Sequence, residues 1–135
     1  MEKSPKPLPI VNEWARPFWE AARQHKLMIQ ECKDCGKHIF YPRMSCPECF
    51  SEHLDWVECS GHGTVYSFTV VESNPPSAFI PDLPYVVALI KLEEGVQMLS
   101  NIVEWEPGQL RCDMPVQVTF EKLNDEFTLP KFKPI

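Results

Sequence analysis

Two short knuckles, Cys32-Lys33-Asp34-Cys35-Gly36 and Cys46-Pro47-Glu48-Cys49, limit what this chain can fold into more than any other feature. A two-residue spacer lets both thiolates of a pair reach one ion, and the ten residues between Cys35 and Cys46 suffice to return the chain with the second pair. Four sulfur donors, Cys32, Cys35, Cys46 and Cys49, fill a tetrahedral shell. That donor set specifies zinc and leaves no open position for water or substrate, so the expected metal is structural.

With 135 residues, the chain has room for a small metal-stapled module and a domain of about 80 residues. The net charge of −6 is unevenly spread: residues 1–53 hold eight Lys/Arg against seven Asp/Glu, and residues 54–135 hold five against twelve. Cys59 and Cys112 fall outside the paired pattern, which excludes a disulfide framework. No apolar run approaches a membrane span, and the start, Met1-Glu2-Lys3-Ser4-Pro5, lacks the basic-then-apolar pattern of a secretory signal. The expected location is the cytoplasm, away from membranes.

Periodicity predicts a mainly β chain in three parts: residues 1–26, 27–53 and 54–135. Residues 1–11 carry three prolines and no period, and read as an extended arm. From Asn12 to Lys26, Trp14, Phe18, Ala21, Ala22 and His25 recur at helical spacing, with Asn12 as a possible cap. The aromatic payload of this helix suits internal packing as well as an interface, and the helix is expected to grip a partner. Leu27–Gln30 and Ile39–Tyr41 flank the first knuckle as a zinc-pinned hairpin. Beyond the second knuckle come period-two segments at Leu54–Cys59, Gly63–Glu72, Tyr85–Leu92, Val96–Val103 and Val116–Phe120. Turns at Glu93-Glu94-Gly95 and Glu106-Pro107-Gly108 separate some of them. Five strands predict a small OB-like barrel. The connection Asn74–Pro84 holds four prolines with Phe79, Ile80 and Leu83, and reads as a stiff recognition loop. The tail Leu129–Pro134 mixes apolar and basic groups and reads as a second docking segment.

No convincing catalytic pair emerges. Cys59-Ser60-Gly61-His62-Gly63 gathers a thiol, a hydroxyl and an imidazole, but it reads as a glycine-rich turn with no local Asp or Asn to orient the histidine. Cys112 has no histidine nearby. His38 and His53 are surplus to a four-sulfur site, and Glu93-Glu94 and Asp125-Glu126 are expected to face water. Catalytic residues in this chain: none.

A ribbon joined to an OB-like barrel suits single-stranded nucleic acid, the principal alternative reading. Charge opposes it, since a phosphate backbone needs a basic track and the barrel half sums to −7. A smaller anion asks for only one or two cations beside an apolar slot, a description that coenzyme A fits. Lys33, Lys37 and Arg43 near the ribbon are the candidate phosphate contacts.

Several runs carry a family resemblance: Phe18-Trp19-Glu20-Ala21-Ala22, Tyr41-Pro42-Arg43, Ser60-Gly61-x-Gly63-Thr64-Val65-Tyr66-Ser67 and Pro84-Tyr85-Val86-Val87-Ala88, together with the two knuckles. The chain resembles, over about residues 12–134, acyl-CoA-associated proteins with a rubredoxin-like zinc ribbon followed by an OB-fold. The resemblance implies a non-catalytic accessory subunit of a thiolase, thiolase-like aldolase or hydratase. Such a subunit forms a hetero-oligomer with the enzyme and shapes or covers the acyl-CoA path. Two departures stand out. Glu94-Gly95-Val96-Gln97 has glutamine where the family often has arginine, and Asp113-Met114-Pro115-Val116 has aspartate where it often has glycine, a residue that tolerates left-handed geometry.

Overall fold

The computed structural model describes residues 7–135. The expected arm therefore lies partly outside the described residues. Its described part, from Pro7, contains no regular element before a 3₁₀ turn at Glu13–Ala15. Helix α1 follows at Arg16–Arg23, shorter than the period suggests. Pro17 is accommodated in its first turn, where no backbone donor is required. Asn12 makes no side-chain cap, and His25 leaves the helix at φ 60°.

Three strands form the ribbon sheet in the order β2-β1-β3: β1 at Met28–Cys32, β2 at His38–Ile39 and β3 at Leu54–Glu58. Here the structure corrects the strand assignment. Leu54–Glu58 does not enter the barrel. It pairs antiparallel with β1 from Met28↔Glu58 to Cys32↔Leu54. Antiparallel pairing along β1 lets Leu54 cover the sulfur cluster, and the period-two pattern of β3 cannot reveal which sheet uses it.

Five strands close the barrel in the order β4-β5-β6-β8-β7: β4 at His62–Val71, β5 at Tyr85–Leu92, β6 at Gln97–Ile102, β7 at Pro115–Lys122 and β8 at Thr128–Pro134. Strand β4 is long enough to serve two neighbours, β5 along its length and β7 near its start, and it bends at a bulge between Val65 and Ser67. The expected docking tail is thus the fifth barrel strand. Its prolines obscured it, and register shows why they are harmless. Phe132 turns its carbonyl toward the β6 side, accepting from the Val103 N–H at 2.8 Å. Pro130 and Pro134 share that parity, so their missing donors face β6, where β8 has only the Ile102↔Phe132 pair, and not the full β7 ladder.

Alternate residues Val86, Ala88, Ile90 and Leu92 of β5 point inward, meeting Met98, Ile102, Val116 and Phe132. The same core continues outward through Leu27, Ile29 and Phe18. Helix α1 wedges between ribbon and barrel: Phe18 meets Phe40 at 5.7 Å and Trp19 meets Phe127 edge-on at 5.5 Å. Internal packing therefore claims the helix aromatics, and of them Trp14 alone stays exposed. The left-handed position anticipated at Asp113 is present, at φ 67°, with its N–H on the Val65 carbonyl at 2.7 Å. Gly61 is required on two counts: φ is +85°, and an added Cβ would lie 2.6 Å from Val118 Cγ1.

Candidate metal centre and adjoining grooves

The two knuckles are built alike. Gly36 N–H returns to the Cys32 carbonyl at 2.8 Å, and Phe50 N–H returns to the Cys46 carbonyl at 2.9 Å. The residue after each second cysteine is left-handed, Gly36 at φ 78° and Phe50 at φ 62°. Glycine does this without strain. Phenylalanine costs about 1 kcal/mol more, because its Cβ crowds the next carbonyl.

All four sulfurs lie within 4.8 Å of one another. Cys32 and Cys49 Sγ are 3.5 Å apart, and Cys35 and Cys46 Sγ are 3.6 Å apart. A tetrahedron with Zn–S bonds of about 2.3 Å has edges of roughly 3.8 Å, so the cluster fits that ion. Backbone donors aim at the buried sulfurs: Cys35 N–H reaches Cys32 Sγ at 3.5 Å, and Glu48 N–H reaches Cys46 Sγ at 3.4 Å. The Cys35 N–H, foremost, lowers the Cys32 thiol to about 7, and the Cys49 N–H leads the lowering of Cys46. Cys49 moves the other way, to about 12. The Ser51 N–H alone would lower it, but the contact with Cys32, burial and the other two thiols outweigh that. Four thiols this close cannot all ionise by themselves. A divalent cation held by the four sulfurs would supply the missing charge.

Outside the sulfurs, one small network joins the knuckles. Asp34 accepts from the Ser51 hydroxyl and faces His53 Nδ1 at 3.1 Å. The Ser51 hydroxyl, then His53, hold the Asp34 carboxyl below its usual range. His53 thus stays near the cluster without joining it, and His38 pairs with Glu31 at 3.2 Å.

The candidate phosphate cations are not all brought together. Lys33 is bound to Glu31 at 3.2 Å and Asp55 at 3.5 Å. Lys37 and Arg43 line one groove of about 440 Å3 between ribbon and barrel, with Glu94 and Gln97 opposite. Within it Lys37 already pairs with Glu48 at 2.6 Å. Arg43 is anchored by its backbone, which exchanges two hydrogen bonds with the buried Gln30 amide at 2.7 and 2.9 Å. Glu94 departs from its expected solvent exposure: one oxygen takes the Ser60 N–H at 3.1 Å, and the carboxylate faces the buried Cys59 thiol. Nothing in sequence marks that burial, which arises when the β5–β6 turn folds onto Cys59. Burial first, then the Glu94 charge, pushes the Cys59 thiol up to about 12, so it is no nucleophile at neutral pH.

The barrel wall carries a second set of grooves. An apolar groove of about 330 Å3 lies between α1, Tyr41-Pro42 and β6. Tyr41 bridges the two modules, its hydroxyl oxygen accepting the Leu99 N–H at 3.1 Å. The Pro-rich connection folds a 3₁₀ turn at Ser77–Asp82 and lays Phe79 against Tyr85 at 5.9 Å, on the outside of the barrel.

A sulfur-clustered ribbon bonded through a shared core to a closed OB barrel defines a class, and both halves match one family. Residues 19–55 match the domain described as the ChsH2 rubredoxin-like zinc ribbon, and residues 56–121 match the ChsH2 C-terminal OB-fold domain. The chain belongs to the ChsH2 family. A probable enoyl-CoA hydratase alpha subunit of Thermomonospora curvata is 39% identical over 132 residues, 98% of this chain. The chain spans only 41% of that relative's length. The benzoylsuccinyl-CoA thiolase subunit BbsA of Thauera aromatica is 30% identical, over 91% of this chain and 85% of its own. Among solved structures, the Ltp2-ChsH2(DUF35) aldolase superposes with a TM-score of 0.85 at 38% identity, covering 94% of this chain and 98% of that one. Among the described residues, no helix is long and apolar enough to cross a membrane.

Proposed function

We propose that this chain is a non-catalytic accessory subunit of a thiolase-type acyl-CoA enzyme, stapled by one zinc ion on Cys32, Cys35, Cys46 and Cys49. The zinc is a structural tie, since four sulfurs leave it no open coordination site. The barrel and its proline-rich loop shape or cover the path of the CoA thioester, and the partner performs the chemistry. One observation carries this reading: the chain aligns almost end to end with a component of an aldolase assembly. The buried, protonated Cys59 is in keeping with it, as is the lack of a histidine near Cys112 in sequence. Lys37 and Arg43, sharing a groove, are the better phosphate candidates. Lys33, held by two carboxylates, is the weaker.

The test is reconstitution. Purified chain and the thiolase-fold enzyme from the same cell are mixed, and mass, zinc content and thioester turnover are followed. The expected result is a stable hetero-oligomer in which turnover requires both proteins. Turnover of a thioester by the isolated chain, abolished by Cys59→Ala or His62→Ala, would overturn it. A salt-dependent gel shift with single-stranded oligonucleotides would instead support the nucleic-acid alternative.

A further inference from the structure

Strands β5 and β6 are the second and third strands of the barrel, the wall on which OB-folds ordinarily receive ligands, and the connection before β5 is the loop that flanks that wall. Three grooves meet there at Asn101. The apolar groove beside Tyr41 runs over Leu99 into a second of about 330 Å3 walled by Pro76, Phe79 and Val87. Leu99, at its centre, is 56% exposed in the middle of a strand. A third groove, of about 300 Å3, continues past Tyr85 to Trp105 and changes character. Among the described residues that line it, the carboxylates of Glu104 and Glu121 stand beside one cation, Lys131, which is paired with Glu121 at 3.1 Å. The wall is therefore apolar along most of its length and acidic at one end.

We propose that this wall is where the partner enzyme docks, laying apolar side chains over Leu99 and placing one arginine or lysine in the acidic groove beside Trp105. The proposal rests on the accessory-subunit reading and adds to it the surface and the partner's chemistry. Charge complementarity selects the occupant: carboxylates around an indole attract a cation on an aliphatic stem and repel a phosphate backbone. Exposed apolar groups with an aromatic anchor pocket beside them supply the desolvated centre that protein interfaces use.

The experiment measures the dissociation constant between the full chain and the purified thiolase-fold enzyme at low and high salt. Leu99→Glu is expected to weaken binding by about 50-fold at any salt, because it places a charge in the desolvated centre. Glu104→Lys is expected to weaken it by about tenfold at low salt and less at high salt, where the cation is already screened. Tyr66→Glu, an exposed aromatic outside all three grooves, should change it by less than about twofold. Zinc content and thermal midpoint verify folding, and if Leu99→Glu unfolds, the volume-matched Leu99→Gln decides in its place. Folded Leu99 and Glu104 variants that bind as the parent does would overturn the surface while leaving the accessory-subunit reading intact. A parent chain that fails to bind overturns both.

Discussion

Around the knuckles the enclosed side chains are Cys32, Ile39 and Cys46, two of them sulfur donors, with Leu54 packed over them, while Ile29 of the same sheet belongs to the barrel's core. In the barrel they are Val65, Val86, Ile90, Leu92, Met98, Ile102, Val116 and Phe132, a continuous apolar interior. So small a cluster as the first does little against the chain entropy of ordering two knuckles, and an ion on the four thiols would supply the difference. The second carries itself. One chain thus shows both remedies for marginal stability side by side, and experiments that separate them test whether the division is real.

Metal removal is the strongest wedge. Chelation, or Cys46→Ser, should withdraw an interaction on the order of 10 kcal/mol from the ribbon, so Lys33, Lys37 and Arg43 become trypsin-sensitive while barrel amides keep their exchange protection. If barrel protection collapses at the same chelator concentration, the two regions are one cooperative unit joined through Leu27 and Ile29. The converse cut is Phe132→Ala. It should cost the barrel about 3–5 kcal/mol, read from denaturant midpoints, while zinc stoichiometry stays at one per chain. Between the regions sits Gln30, 4% exposed, whose amide satisfies both backbone groups of Arg43. Gln30→Ala should cost about 1–3 kcal/mol and loosen the groove holding Arg43 without releasing metal. Phe50→Gly should stabilise the metal-bound ribbon by up to about 1 kcal/mol, matching the knuckle at Gly36.

A pH-dependent test concerns Cys59, where ribbon and barrel meet. Its thiol is raised from 9.0 to about 12 in the folded chain, so the unfolded chain loses its proton first as pH rises. Stability from this group is complete below about 9 and declines toward 12. Titration of denaturation midpoints across that window checks the sign, and thiol reagents should modify Cys112 well before Cys59.

Sequence exposed the ribbon far better than the barrel's boundaries. Cysteine spacing states its own geometry, whereas period two states only that a segment has two faces, which is why β3 could be given to the wrong sheet. The prolines of β8 hid a strand because their tolerance depends on which side the neighbouring strand lies, a fact of register. Helix residues Phe18 and Trp19 read equally well as a core or as an interface until Phe40 and Phe127 were seen to meet them. Glu94 lies in a turn that any reader would place in water, and only the approach of Ser60 and Cys59 encloses it. Among the cations that charge picked out, Lys33, Lys37 and Arg43, sequence alone did not show that Lys33 is committed to Glu31 and Asp55 and Lys37 to Glu48.

The strand that completes the barrel is β8, at residues 128–134, while the ribbon's own sheet is finished at Glu58. On a ribosome, the sulfur module can therefore capture its ion before the strands of its future neighbour have all been made. Zinc supply then acts before the barrel closes, and the barrel's strand edges stay open until β8 is made.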